Sequence, residues 1–318
     1  MKELSVIIPT YRGSALLLEF LPSVLAALRA CPCDAELVIV DDCSGDDSLS
    51  VARRLCEGAE NVVLGSTAQN SGFSGACNRG AELASGRILF FLNNDVRLEP
   101  DYFKNFQKYF ADDTVFAVAC SGYSFFDSRQ IDGVKTVSWK RGFPRFTKNI
   151  YDEKLPDEGE ILSFGFQGAY FFARADRFRA LGGFDELYAP YIMEETDLAF
   201  RAIRRGWKVV YGRGFMGYHK VGSSIHSKTS RRTKIISARN RLLFVWKNIR
   251  SPKLLCSHFF FLFLRLLTLD LIQWQALFKA LPLMSRAISS GKKEAALSVE
   301  TDGRIISRYE NYFRKLGR

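Results

Sequence analysis

In Arg87-Ile88-Leu89-Phe90-Phe91-Leu92-Asn93-Asn94-Asp95-Val96, five apolar residues run unbroken from Ile88 to Leu92 and then stop at two amides and a carboxylate. The run is short and rich in side chains that favour extended backbone, so it reads as a strand buried on both faces. In open α/β sheets, ligands gather beyond the carboxyl ends of the strands. Asp95 stands at such an end, where a polar ligand or a metal ion would sit. The alternative is that Asn93-Asn94-Asp95 merely caps the strand and starts a turn.

Upstream the pattern repeats. Leu4-Ser5-Val6-Ile7-Ile8-Pro9-Thr10 is a β-rich run, followed by apolar residues at helical spacing over 14–30. A second buried strand over 36–40 ends in Asp41-Asp42-Cys43-Ser44, and residues 48–57 read as a helix capped by Asp47 or Ser48. A third strand at 62–64 leads to Asn70-Ser71-Gly72-Phe73-Ser74-Gly75-Ala76-Cys77-Asn78-Arg79-Gly80. This alternation predicts a parallel sheet with right-handed crossovers. Gly72, Gly75 and Gly80 lack the GxGxxG spacing and do not follow the first strand, which argues against a nicotinamide dinucleotide site.

Downstream, residues 101–110 read as a helix, 115–119 as a strand and 124–160 as an irregular insertion or mobile flap. The segment from Phe164 is rich in small residues and then strand-like, leading into a helix that ends at Gly182-Gly183. Met193-Glu194-Glu195-Thr196-Asp197-Leu198-Ala199-Phe200-Arg201 opens a helix that stops at Gly206, and 207–211 is a further strand. Glu194 and Glu195 in a first turn complement the helix dipole, and Asp197 can pair with Arg201 four residues on. Alternatively, one of the acids faces a pocket as a base while the others hold the helix. His219 is one of three histidines.

The chain of 318 residues is 47% hydrophobic, enough for one large α/β domain with an appendage, or for two modest domains. Its seven cysteines are scattered without CxxC spacing, so neither a zinc site nor a disulfide framework is expected, and a reducing cytoplasm fits best. Met1-Lys2-Glu3-Leu4 runs straight into a strand, which argues against a secretory signal. The net charge of +11 is uneven: residues 201–318 hold 25 basic and 5 acidic side chains, and no acid occurs between Arg201 and Leu269. Such a stretch suits an anionic partner, a phosphate or an anionic membrane surface. It carries no nucleic-acid-binding motif, so nucleic acid is not an expected partner. From residue 233 the pattern is helical. The apolar run at 254–269 is interrupted by His258 and Arg265, which lie seven residues apart and share one side of a helix, and Asp270 follows, so a clean membrane span is missing. It reads as a helix lying in a membrane interface, or one covering the core or a partner subunit, which leaves room for a homo-oligomer.

Val6-Ile7-Ile8-Pro9-Thr10-Tyr11, Val40-Asp41-Asp42-Cys43-Ser44, the 70–80 segment, Phe91-Leu92-Asn93-Asn94-Asp95, Gly182-Gly183-Phe184-Asp185-Glu186 and Glu194-Glu195-Thr196-Asp197-Leu198 resemble, in order and spacing over roughly 4–224, the family 2 glycosyltransferases. The narrower similarity is to bacterial rhamnosyltransferase-type enzymes of cell-surface polysaccharide assembly, through His219 and the following Gly222-Ser223-Ser224. The resemblance implies an α/β GT-A (Rossmann-like) fold, with a mixed, mostly parallel sheet flanked by helices over 1–225 and a basic, apolar helical extension over 226–318.

It further implies an inverting transfer from a nucleotide-diphosphate sugar to a saccharide or lipid-linked acceptor, at the cytoplasmic face of a membrane. Pro9, Thr10, Tyr11, Asp42, Asn70, Gly72, Arg79, Asn93 and Asn94 would border the nucleotide sugar, with Asp42 accepting from a base N–H. Asn93-Asn94-Asp95 takes the place of the family's DxD motif, so Asp95 would bind Mg²⁺ or Mn²⁺ together with the diphosphate. Asn93 removes one acid from that motif, and His219 matches a position that supplies a further metal ligand in some relatives. Glu195 matches the general base, where Asp is usual, with Glu194 the alternative. Gly168, Ala169 and Asp197 would lie on the acceptor side. A sugar-phosphate nucleotidylyltransferase is a competing class, but Pro9-Thr10-Tyr11-Arg12-Gly13 does not supply its Gly-rich basic loop. A non-catalytic binding module is the other.

Overall fold

The computed structural model describes residues 2–146, 149–221 and 230–316. The strands are β1 (Leu4–Thr10), β2 (Ala35–Asp41), β3 (Val62–Ser66), β4 (Ile88–Leu92), β5 (Val96–Leu98), β6 (Val115–Cys120), β7 (Gly122–Ser124), β8 (Gln130–Asp132), β9 (Val134–Lys135), β10 (Ser138–Lys140), β11 (Phe143–Arg145), β12 (Asn149–Ile150), β13 (Tyr170–Arg174), β14 (Lys208–Gly212) and β15 (Gly217–His219). The α-helices are α1 (Ser14–Arg29), α2 (Ser48–Leu55), α3 (Gly72–Leu83), α4 (Ala175–Ala180), α5 (Glu194–Arg204), α6 (Arg231–Asn248), α7 (Pro252–Leu267), α8 (Leu271–Ala280), α9 (Met284–Ala296) and α10 (Asp302–Leu316).

Seven strands form the central sheet in the order β14-β6-β13-β4-β1-β2-β3. β4 pairs parallel with β1, β1 with β2 and β2 with β3, whereas β13 runs antiparallel to both β4 and β6. The sheet is therefore mixed and mostly parallel, as expected. Every residue of β4 is buried, and successive residues face opposite layers: Phe91 joins the core beneath α3 and α5, and Phe90 joins the core beneath α1. Gly80 lets α3 lie flat on β1, because a Cβ there would stand 2.3 Å from Ile7 Cγ2.

Several expectations are corrected. Residues 101–110 form turns and one short 3-10 helix (Gln107–Phe110), not an α-helix; Tyr102, Phe103 and Phe106 still bury themselves under β4 and β13. The segment 124–160 is not irregular throughout: β7 and β8 join β5 and β15 in a four-stranded sheet, while β9 pairs with β12 and β10 with β11. Some of its aromatics serve the core, with Phe143 buried and Phe146 stacked on Phe164, whereas Phe126 is exposed. The N-cap of α2 is Asp47, as expected, although its side chain makes no capping hydrogen bond and Ser48 N donates instead to Asp46 Oδ1 at 3.1 Å.

The helices beyond 226 are not a separate appendage. Leu242, Leu243, Phe244 and Val245 of α6, with Ile305, Tyr309 and Phe313 of α10, share one hydrophobic cluster with Phe91 and Phe171 of the sheet. The basic stretch is partly neutralised at home: Lys247 Nζ lies 2.7 Å from Asp185 Oδ2 and 2.8 Å from Asp197 Oδ2. Among the described residues, α7 and α8 turn an apolar stripe outward, with Phe259, Phe260, Phe263, Leu267, Leu271 and Phe278 exposed. No described helix is long and apolar enough to cross a membrane.

Candidate active site

Beyond Leu92 the chain turns at once and re-enters extended backbone as β5. β5 pairs antiparallel with β15 in a register that sets Val96 opposite His219, and Lys220 N donates to Asp95 O at 3.0 Å. That register brings two residues 124 positions apart together, with Asp95 Oδ1 standing 3.3 Å from His219 Nε2. Asp95 is 1% exposed. Asn93 is tied by its backbone N–H to Ala169 O at 2.8 Å, and Asn94 Nδ2 donates to Thr10 Oγ1 at 2.8 Å. A Cβ at Gly13 would stand 2.2 Å from Thr10 Oγ1 and 2.4 Å from Asn94 Nδ2, so only glycine permits this pair.

The loop after β2 is braced against the loop after β1. Arg12 N donates to Ser44 Oγ at 2.8 Å and Gly13 N to Ser48 Oγ at 3.0 Å. Pro9 and Thr10 are buried in β1, and Tyr11 is exposed beyond it. Asp42 is 3% exposed. Its carboxylate accepts from Thr67 Oγ1 at 2.8 Å, Ser71 N at 2.8 Å and Gly72 N at 2.7 Å. Asp42 therefore holds the turn that starts α3, and its expected bond to a base N–H would have to share oxygens already engaged. Asn70 is exposed beside that turn. Gly72 has φ +72 and packs so closely on the backbone of Pro190 that a Cβ would stand 2.9 Å from its oxygen. Arg79 does not converge on the site: it lies on the exposed face of α3, paired with Glu82 at 2.9 Å.

The acid pair enters through strained backbone. Ile192 and Met193, neither a glycine, have φ +76 and +88. Asn240 of α6 pins this loop: its Nδ2 lies 2.7 Å from Tyr188 O, 2.9 Å from Tyr191 O and 2.7 Å from Ile192 O. Arg239 donates to Ala189 O as well. Glu194 is 6% exposed and its Oε2 has no hydrogen-bond partner; burial, then the charge of Glu195, pushes its pKa well above the usual carboxylate range. Burial also raises Glu195, while backbone N–H groups and Lys135 pull it back. Glu195 lines a cavity of about 240 Å³ with Lys135, Arg145, Phe146, Phe166 and Arg241.

Asp197 is not on the acceptor side. It is fully buried and accepts from Tyr188 Oη at 2.9 Å, Arg201 Nε at 2.7 Å, Lys247 Nζ at 2.8 Å and Asn248 Nδ2 at 2.8 Å. Burial alone would raise its pKa, but Lys247 and Arg201 outweigh that and hold it well below the carboxylate range. Gly168 packs toward Phe73 and Ala169 holds Asn93, so neither lines the cavity; Gly165 and Phe166 do. Gly222, Ser223 and Ser224 lie outside the described residues.

Sequence reasoning missed Asn240, Lys247 and Asn248. Their signal was present: they recur at seven- and eight-residue spacing among the apolar residues of one helix, where polar side chains are costly unless a network receives them.

The sequence profile of Glycosyl transferase family 2 matches residues 5–171, more than half of the chain. The chain belongs to glycosyl transferase family 2. Among curated members, an uncharacterized glycosyltransferase of Nostoc sp. is 37% identical over 98 residues, covering 31% of this chain and 30% of that one. The poly(ribitol-phosphate) beta-glucosyltransferase of Bacillus spizizenii is 33% identical over 94 residues, covering 29% and 15%. The putative teichuronic acid biosynthesis glycosyltransferase TuaG of Bacillus subtilis is 30% identical over 120 residues, covering 38% and 46%. The matched stretches thus span less than half of each of these family 2 relatives.

Among solved structures, the mannosyltransferase PcManGT from Pyrobaculum calidifontis, in complex with GDP-Man and Mn²⁺, superposes with a TM-score of 0.56 at 17% identity, covering 93% of this chain and 87% of that one. GalNAc-T7 with UDP, GalNAc and Mn²⁺ gives 0.60 at 16%, covering 80% and 49%. The shared architecture is the GT-A fold.

Proposed function

We propose that this chain is an inverting, metal-dependent glycosyltransferase that moves a sugar from a nucleotide-diphosphate sugar to a hydroxyl of a saccharide or lipid-linked acceptor in cell-surface polysaccharide synthesis. The observation that carries it is the approach of His219 Nε2 to Asp95 Oδ1 at 3.3 Å, at the carboxyl end of β4 in a family 2 fold. Two cis ligands of an octahedral ion bound at about 2.1 Å stand about 3 Å apart, so the pair suits a divalent cation, Mg²⁺ or Mn²⁺. Among the described residues no group of three His, Cys, Asp or Glu is placed to hold a metal, so the diphosphate is left to supply further oxygens. When bound, the cation would offset charge on the departing nucleoside diphosphate.

Glu195 is the better candidate for the base. It lines the cavity, whereas Glu194 does not, and the deeper desolvation of Glu194 favours its protonated form. Glu195 takes the acceptor hydroxyl proton as that oxygen bonds to the anomeric carbon; the bond from that carbon to the diphosphate oxygen breaks, with inversion. Its raised pKa brings it nearer to working pH, which suits a general base. The outward stripe of α7 and α8, next to a basic C-terminal third, supports peripheral attachment to an anionic membrane at the cytoplasmic face.

The test is a panel of nucleotide sugars with and without Mn²⁺, followed by release of nucleoside diphosphate. Asp95→Ala and Glu195→Gln should each abolish transfer without unfolding the protein. Transfer persisting in Glu195→Gln removes the assignment of the base, and turnover unaffected by chelation removes the metal.

A further inference from the structure

The cavity beside Glu195 is lined by more cations than acids. Arg145 stands at the end of β11 and Arg241 on α6, and both line it together with Lys135. Arg265 of α7 and Arg241 both lie over the ring of Phe143, at 4.5 and 5.1 Å from its centroid. Arg141 lies in the turn before β11. Among the described residues none of these four arginines has an ion pair, although the chain pairs its buried cations Arg201 and Lys247 closely with Asp197. Arg145 Nε and Arg241 Nη2 are buried without hydrogen-bond partners. Burial, and to a smaller extent the charges of Arg145 and Arg265, push Arg241 down to about 10.

Both arginines are half-buried, and the one nitrogen of each that is buried without a partner costs stability, a cost that a ligand oxygen entering the cavity would offset. The guanidinium fork matches the oxygens of phosphate and can bind them two at a time. At about 240 Å³ the cavity lies below the usual range for drug-sized ligands, and one sugar- or polyol-phosphate unit is of suitable size.

We propose that Arg145 and Arg241 form a phosphate subsite on the acceptor side, so that the acceptor carries a phosphate ester close to the hydroxyl that Glu195 deprotonates. The acceptor part of this assignment rests on Glu195 being the base; phosphate binding itself does not. The phosphate has two possible sources, a water-soluble polyol or sugar phosphate and the diphosphate of an isoprenoid-linked acceptor. The aromatic floor of the cavity, Phe146, Phe164 and Phe166, gives the carbon skeleton next to the phosphate an apolar surface.

The experiment titrates the full chain with glycerol 3-phosphate and, separately, with an isoprenyl diphosphate in neutral detergent micelles, reading dissociation constants by calorimetry. At least one probe should saturate, and Arg145→Gln and Arg241→Gln should each weaken it tenfold or more while leaving Mn²⁺-dependent binding of nucleoside diphosphate unchanged. Saturation by glycerol 3-phosphate identifies the soluble source, and saturation by the micellar diphosphate alone identifies the lipid-linked one. Because the arginines oppose folding, Arg241→Met should melt no lower than the parent. Failure of both probes to bind, equal binding by the glutamine variants, or a markedly lower melting temperature in Arg241→Met overturns the subsite. Loss of the Glu195 assignment alone would leave these binding results intact.

Discussion

The side-chain amide of Asn240 meets the carbonyl oxygen of Ile192 at 2.7 Å, across 48 positions of sequence. A helix read from sequence as part of an extension thereby fixes the backbone that delivers the acid pair. Asn240→Leu keeps the volume and removes the donors. It should leave three carbonyls short of a partner, cost about 2–4 kcal/mol of stability and lower turnover tenfold or more. Urea titration and steady-state kinetics check both. Unchanged turnover in a folded Asn240→Leu protein would mean that the left-handed backbone at Ile192 and Met193 holds itself.

His258 gives the fold a pH dependence of known sign. It is fully buried, accepts from Trp246 Nε1 at 3.2 Å through Nε2, and so carries its proton on Nδ1, which donates to Gly142 O at 2.9 Å. Burial lowers its pKa from 6.5 to about 4, with Arg265 adding to the effect and the Gly142 bond opposing it. The folded state then binds fewer protons than the unfolded chain in between, so the contribution is complete above about pH 6.5 and is lost as pH falls toward 4. The expected loss is about 3 kcal/mol. Urea titrations near pH 7 and at about pH 4.5 should show a difference that shrinks by roughly 2 kcal/mol, most of that loss, in His258→Gln. The same slope in both proteins assigns the acid sensitivity elsewhere.

The outward stripe of α7 and α8 leads to a binding prediction. Phe260 and Phe263 are 59% and 60% exposed. Full burial of one such side chain is worth about 1.5–3 kcal/mol, so replacing both with serine should weaken association with anionic vesicles at least tenfold. Cosedimentation with vesicles rich in anionic lipid checks it. If the parent ignores vesicles and instead forms a dimer that Phe260→Ser with Phe263→Ser dissociates, the stripe is an interface between copies and the membrane assignment falls.

The sheet was legible because its strands announce themselves locally. The run from Ile88 to Leu92 is apolar throughout, and each parallel strand ends where polar residues begin. Residues 101–110 misled because their aromatics fall at helix-compatible spacing, yet Tyr102, Phe103 and Phe106 reach the core from turns. At the site, Asp95 was visible from its place after a buried strand, and its partnership with His219 followed only from family resemblance. No local signal gives the β5–β15 register that creates it. Asp197 was assigned to the acceptor side although its spacing to Arg201 already indicated the pair seen here. The arginine subsite was hidden for a different reason: it assembles from β11 and α6, and sequence spacing carries no information on which distant cations meet.

The antiparallel strand at the centre of the sheet has a consequence for synthesis. β4, β1, β2 and β3 are adjacent in space and come from the first 92 residues, so a nascent chain can assemble that half while the remainder is still being made. The other half cannot join until β13 emerges to bridge β4 and β6, and the loop before Glu194 stays unanchored until α6 follows it out of the ribosome. Half a sheet with an open edge must therefore wait, exposed to wrong partners, and the loop that carries Glu194 and Glu195 is fixed only after α6 has been made.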